Sequence, residues 1–195
     1  SSEYKGLAKF LGLPGETIKI PLVMRKGVAM DERTRVFLKF LSRGGDFAYL
    51  WTPDTGSNID EETREERERS YSLWYPTHID PIVPANWRAK NAFFGVHPSR
   101  EHRKENQRTT LDTVAAINCF FSEFDIGKGG WESKDQVIRH LETLPMVPSV
   151  IVDSGGGIHA YWLLAMPYTL IDHETMLKVR FWQHRWVDTY TKGDG

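Results

Sequence analysis

Ser149 to Leu164 reads SVIVDSGGGIHAYWLL. Two apolar runs rich in β-branched and aromatic residues flank three successive glycines, and a histidine follows at Ile158-His159. Such runs form strands, and glycine supplies the positive φ of a tight reversal, so the stretch predicts a β-hairpin with strands over 149–152 and 158–164. The strand period of two sets His159 and Tyr161 on one face and Ile158, Ala160 and Trp162 on the other. The turn Ser154-Gly155-Gly156-Gly157 has a second reading, a nest of side-chain-free amides that cradles an anion. Turn geometry alone explains the glycines equally well.

Working outward, Lys134–Leu144 carries Val137, Ile138, Leu141 and Leu144 at helical spacing, with Ser133 as the predicted N-cap. Before it, residues 113–126 (TVAAINCFFSEFDI) form an extended apolar run. Its end places Glu123 and Asp125 at i and i+2, on one strand face and roughly 7 Å apart along the chain. Phe120, Phe124 and Ile126 point the other way. Two hard oxygen ligands at this spacing suit Mg²⁺ or Mn²⁺, although an ordinary solvated strand face also carries such acids. If this strand neighbours the hairpin, the acids and His159 can share a face, a constellation for a nucleoside triphosphate. Residues 172–190 predict a second helix with Met176, Val179, Trp182, Trp186 and Tyr190 inward.

The first half is less regular. Residues 33–41 (RTRVFLKFL) predict a helix with Val36, Phe37, Phe40 and Leu41 on one side, and 46–51 (DFAYLW) a strand. Residues 52–70 read as a solvated loop or short exposed helix, 74–84 as an irregular proline-containing segment and 91–97 (NAFFGVH) as a strand. Residues 98–110 read as a mobile charged loop. Within it Arg100, Arg103, Lys104 and Arg108 oppose Glu101 and Glu105, so the loop either contacts nucleic acid or is a solvated face. Lys128, just past the acids, is a candidate phosphate ligand.

The chain has 195 residues, 40 % apolar and 12 % aromatic, which suits an ordered core. A net charge of −1 gives no global basic field, so nucleic-acid binding needs a local patch. The single cysteine, Cys119, excludes a disulfide framework and a cysteine-based zinc site. No apolar run approaches the roughly 20 residues of a membrane span, and no signal-peptide core is visible, so no membrane partner and a cytoplasmic location are expected. Gly127-Lys128-Gly129-Gly130 fails the Walker pattern, and there is no G-x-S-x-G elbow.

Together these motifs resemble the archaeo-eukaryotic primase superfamily, in particular the primase-polymerases of phages, plasmids and CRISPR-associated loci in prokaryotic hosts. The first motif is similar to Glu123-Phe124-Asp125 at the end of an apolar strand. The second is similar to SGGGIHAYW, a small-residue turn followed by histidine. The likeness is closest from Asn91 to Leu164. It implies an α+β fold: an RRM-like antiparallel sheet backed by helices over residues 91–195, with an N-terminal α/β lobe over residues 1–90.

The resemblance implies template-directed nucleotidyl transfer, with DNA primase and DNA polymerase activity, using two divalent ions. By carry-over Glu123 and Asp125 hold metal, and His159 binds the triphosphate with Ser154, Gly155, Gly156 and Gly157, with Tyr161 and Lys128 beside it. The implied partners are a single-stranded DNA template, nucleoside or deoxynucleoside triphosphates, and a helicase or accessory primase domain in a longer chain. Three departures are evident: glycine at position 157 where serine is frequent, E-x-D in place of D-x-D, and no strand after Asp194, the candidate third acid. The site is therefore expected to be completed by residues beyond Gly195. The alternatives are a non-catalytic RRM-like module for single-stranded nucleic acid and a metal-dependent nuclease.

Overall fold

The computed structural model describes Ile18–Pro21 and residues 30–59, 66–84 and 92–190. These form an α+β protein with two small, mainly antiparallel sheets and three α-helices among the described residues. The chain divides into two compact units. The first holds Ile18–Pro21, Asn118–Met166 and residues 172–190, and the second holds residues 30–117 and Pro167–Ile171. This division differs from a split at residue 90, because Phe93–Phe94 pairs with a strand of the second unit and Ser99 bridges Phe47 and Val114 there.

The four-stranded sheet holds β1 (Ile18–Pro21), β5 (Ala116–Asp125), β6 (Val150–Asp153) and β7 (Gly157–Thr169), in the order β1-β6-β7-β5, and the first unit takes β5 from Asn118 and β7 up to Met166. β1 runs parallel to β6, pairing Ile18 with Val150 through to Pro21 with Asp153. β6 and β7 form the predicted antiparallel hairpin, with Val150 opposite Tyr161 and Asp153 opposite Ile158. The predicted helices are α2 (Lys134–Thr143) and α3 (His173–Tyr190).

Ser133 caps α2 by accepting from the Gln136 amide at 3.2 Å, and Asp172 caps α3 by accepting from the Thr175 amide at 2.8 Å. Every second residue of the strands, Phe124, Ile151, Ile158, Ala160 and Trp162, packs with Trp131 and with Val137 and Leu141 of α2. Burying a side chain such as Leu141 contributes about 1.5–3 kcal/mol. Trp186 and Tyr190 close this core, with ring centroids 5.3 and 5.5 Å from Trp162. Trp182, expected inward, is 40 % exposed. The buried line of α3 follows Met176, Val179, Trp186 and Tyr190, and at 100° per residue Trp182 lies beside it rather than on it.

In the second unit β2 (Phe47–Ile59) lies between β3 (Glu66–Pro76) and β4 (Phe93–Phe94). The expected loop over 52–70 is largely hairpin: β2 continues to Ile59 and β3 starts at Glu66. The expected strand over 91–97 is reduced to two residues. Helix α1 (Glu32–Leu41) is capped by Asp31, which accepts from the Thr34 amide at 3.0 Å. Its Leu38 packs on Ala48, Leu50 and Tyr75, one face of this sheet. The other face presents Phe47, Tyr49, Trp51 and Trp74, and Gly95 approaches Tyr49 so closely that a Cβ would lie 2.4 Å from the ring.

Residues 98–110 are anchored rather than loose. Ser99 exchanges backbone hydrogen bonds with Phe47, the Ser72 amide donates to the Glu105 carbonyl, and Trp74 Nε1 donates to the Gln107 carbonyl at 3.2 Å.

Candidate active site

The register of β5 on β7 decides what the site contains. The Ile126 amide donates to the Gly156 carbonyl at 3.3 Å, and a Cβ on Gly157 would lie 3.2 Å from the Asp125 Cα. The rings of Phe121 and Tyr161 stack with centroids 6.1 Å apart. Each pair sums to the same number, so the strands run antiparallel with Asp125 opposite Gly157, Glu123 opposite His159 and Phe121 opposite Tyr161. Residues 126 and 156 form a hydrogen-bonded pair, which makes 123 and 159 a non-hydrogen-bonded one. Such pairs have Cα atoms about 4.5 Å apart and the closest side chains in a sheet.

Glu123, Asp125 and His159 therefore share one face, opposite the core of Phe124, Ile158 and Trp162. Glu123 and Asp125 are exposed and His159 is half-buried. Further along that face the strands are closed: Val150 and Val152 are fully buried, and Tyr161 is 1 % exposed. Burial pushes the Tyr161 hydroxyl well above its ordinary value. Tyr161, expected to touch a nucleotide, is a packing residue whose ring offers no surface to a ligand. The accessible part of the face is its Asp125 end.

Among the described residues neither the Glu123 nor the His159 side chain makes a hydrogen bond or ion pair, and the Lys128 ammonium lies 3.3 Å from Asp125 Oδ2. Both members of that pair are exposed, and such a pair is worth well under about 1 kcal/mol. Lys128 is thus set beside an acid rather than standing alone for a phosphate. Carboxylate oxygens are the hard donors that Mg²⁺ and Mn²⁺ take, and two of them with water or substrate oxygens suffice. The two acids fit such an ion by their chemistry. No group of three His, Cys, Asp or Glu side chains is clustered for a metal among the described residues, and Asp194 lies outside them.

Each glycine of the hairpin has its own standing. Gly155 has φ +89°, the left-handed region, and Gly156 does not. Positive φ at only the first of two central residues is the pattern of a type II′ hairpin turn. Gly157 is required by close approach, since its Cβ would lie 2.3 Å from the Phe124 carbonyl oxygen. The turn is not an open nest. The Ser154 amide and hydroxyl both donate to the Gly157 carbonyl at 3.1 Å, and the Gly155 amide donates to Asp153 Oδ1 at 2.8 Å. Two of the four amides from Ser154 to Gly157 are committed within the hairpin.

Asp153 is a residue that the sequence reading passed over. Its Oδ1 also accepts from Lys134 Nζ at 2.7 Å, tying the hairpin to the first turn of α2. Lys134, and then the Gly155 amide, hold the Asp153 carboxyl below its ordinary value despite partial burial. The signal was present as Asp-x-Gly at a turn, the spacing at which an aspartate bonds the backbone two residues on.

The basic loop divides by role. Arg100 Nη2 donates to the carbonyls of Val114, at 2.7 Å, and Leu170, so its guanidinium clasps backbone rather than facing a ligand. Backbone carbonyls need donors, and Arg100, expected as a nucleic-acid contact, supplies them here. Arg103 donates to the Arg108 carbonyl at 3.2 Å and to Thr110 Oγ1 at 2.9 Å. Lys104 is exposed. Arg108 lies over the Trp51 ring, 4.6 Å from its centroid.

Set against known proteins, the chain stands apart: no family model, no curated protein and no solved structure matches it. No helix among the described residues is long and apolar enough to cross a membrane.

Proposed function

We propose that the Asp125 end of the four-stranded sheet is a nucleotidyl-transfer site, and that the chain is the catalytic domain of a primase-polymerase with an RRM-like core. The observation that carries this reading is the pairing of exposed Glu123 with His159 across β5 and β7, one step from Asp125 and the glycine hairpin. Two hard acids and an imidazole on one accessible edge suit a metal-bound triphosphate better than a structural surface, where an unpartnered acid beside a second acid is unfavourable.

In the reaction a 3′-hydroxyl oxygen of the primer attacks the α-phosphorus, the bond from that phosphorus to the bridging oxygen breaks, and pyrophosphate leaves. Divalent ions held by Glu123 and Asp125 would supply Lewis-acid stabilisation of the phosphoryl oxygens. His159 offers a ring N–H to the triphosphate, and the exposed Gly156 amide is the one left for a phosphate oxygen. Lys128 holds the Asp125 carboxylate when no ion does. Asp153 fixes the turn by holding the Gly155 amide and Lys134.

The test is incorporation of labelled nucleotides on a primed and an unprimed single-stranded DNA template, with Mg²⁺ or Mn²⁺. Asp125→Ala and Glu123→Ala are each expected to lower incorporation at least about 100-fold, because a site with one carboxylate loses its hold on the ion. His159→Ala is expected to raise the KM for nucleotide more than it lowers kcat. Absence of incorporation with either metal, together with tight template binding, would replace this reading by a non-catalytic binding module. Metal-dependent shortening of the template would replace it by a nuclease.

A further inference from the structure

The exposed aromatic edge of the second unit has no role in the site above. Phe93 of β4 stacks on Trp51 of β2 with centroids 4.4 Å apart and planes 19° from parallel. The Arg108 guanidinium lies over the same indole. Two planar groups thus lie against Trp51, and Phe93 is 38 % exposed at the edge of its sheet. An exposed, stacked aromatic at a sheet edge is unfavourable for an isolated protein, since it leaves a large ring face in water. The loop that brings Arg108 also carries exposed Lys104, and among the described residues neither cation has a carboxylate partner.

We infer that Phe93 and Trp51, with the Arg108 guanidinium over the indole and the exposed Lys104 on the same loop, form a binding platform for single-stranded nucleic acid. Its two features ask for one occupant. A flat π surface takes an unpaired base of any identity, and the neighbouring cations take the phosphates that accompany it. The excess of positive charge in residues 100–108, four cations against Glu101 and Glu105, matches a polyanion. A duplex fits poorly because its bases are already stacked. The loop is held in place by the bonds from Ser72, Trp74 and Arg103, so the platform is preformed. No group of this platform reads base edges, so binding is sequence-tolerant.

The inference does not rest on nucleotidyl transfer and is tested without it. A fluorescein-labelled oligothymidylate is titrated with the chain, followed by anisotropy and by tryptophan emission, without metal or nucleotide. Binding with quenched tryptophan emission is expected. Phe93→Ala should weaken it about 5- to 100-fold, the range for loss of one base stack, whereas Phe93→Tyr should keep it. Arg108→Lys should weaken binding but keep its salt dependence, whereas Arg108→Ala should weaken it and flatten the log–log salt slope by about 0.7.

If the parent binds no oligonucleotide, or if Phe93→Ala and Arg108→Lys bind as the parent does, the platform is refuted. Should Phe93→Ala fail to fold, the two Arg108 variants decide alone. Concentration-dependent self-association that Phe93→Tyr keeps and Arg108→Ala abolishes, without oligonucleotide binding, would refute it in favour of a second copy of the chain.

Discussion

Replacing the three hairpin glycines one at a time by alanine should give three different outcomes from one chemical change. At Gly157 the new Cβ would sit 2.3 Å from the Phe124 carbonyl oxygen and 3.1 Å from its carbon. Both are backbone atoms of the neighbouring strand, so no side chain can swing away and β7 must separate from β5. Overpacking of this kind costs about 3 kcal/mol. For a chain of this length 1 kcal/mol lowers the melting temperature by about 2–4 °C, so Gly157→Ala should melt about 6–12 °C lower. At Gly155 there is open space but φ is +89°, and holding an L-residue there costs about 1–2 kcal/mol. At Gly156 there is neither a neighbour within 4 Å nor a positive φ. Alanine there restricts the unfolded chain and should stabilise by about 0.4–1 kcal/mol. Urea titrations followed by circular dichroism would rank the four proteins. A Gly157→Ala protein as stable as the parent, or a Gly156→Ala protein as damaged as Gly157→Ala, would show that the strands do not meet in this register.

Ser133→Ala removes the acceptor for the Gln136 amide and should cost about 1 kcal/mol by urea denaturation, while Ser133→Asp should keep the cap and favour the helix N-terminus. Burial lowers the His97 imidazole to about 4, so the folded chain holds it neutral where the unfolded chain takes up a proton. Its contribution is intact above about pH 6.5 and is lost as the pH falls toward 4, by at most about 3 kcal/mol; a pH series of urea midpoints checks this, and His97→Gln should flatten the slope between those limits. Asp153→Asn should cost about 0.5 kcal/mol at neutral pH, since the Lys134 pair is half in solvent. The parent's share of that stability should fade as acid protonates Asp153, a carboxyl already held low by Lys134, and the variant should show no such fading.

What the sequence made legible followed from period. Alternation over Ile158–Trp162 and over Phe120–Ile126 placed the acids and His159 away from the apolar residues, and the helices at 134 and 172 were marked by caps and spacing. What it hid lay in partners far along the chain. Arg100 looked like any other cation in a basic loop until the carbonyls of Val114 and Leu170 were found beside it. Residues 52–70 carry no apolar alternation, because a hairpin with both faces polar writes no period of two, and only the pairing of β2 with β3 reveals it. The partners of the hairpin amides were hidden for a related reason. Composition shows that amides are bare of side chains, not whether Asp153 and the Gly157 carbonyl already hold them.

Register matters more to this site than any single residue in it. Shifting β5 by one position against β7 would turn Glu123 and Asp125 toward Trp131 and Leu141 and bring Phe124 to the face of His159. Burying two carboxylates in that core is far costlier than losing one strand contact, so the apolar pattern alone resists the slip. Gly157 adds a steric condition of its own. Of the three hairpin glycines it is the one at which an added Cβ would meet β5 backbone within 3.4 Å. Glycine at 157, where the resembling family often has serine, thus has a packing reason in this chain. It is what lets the two strands come close enough for Glu123 to face His159.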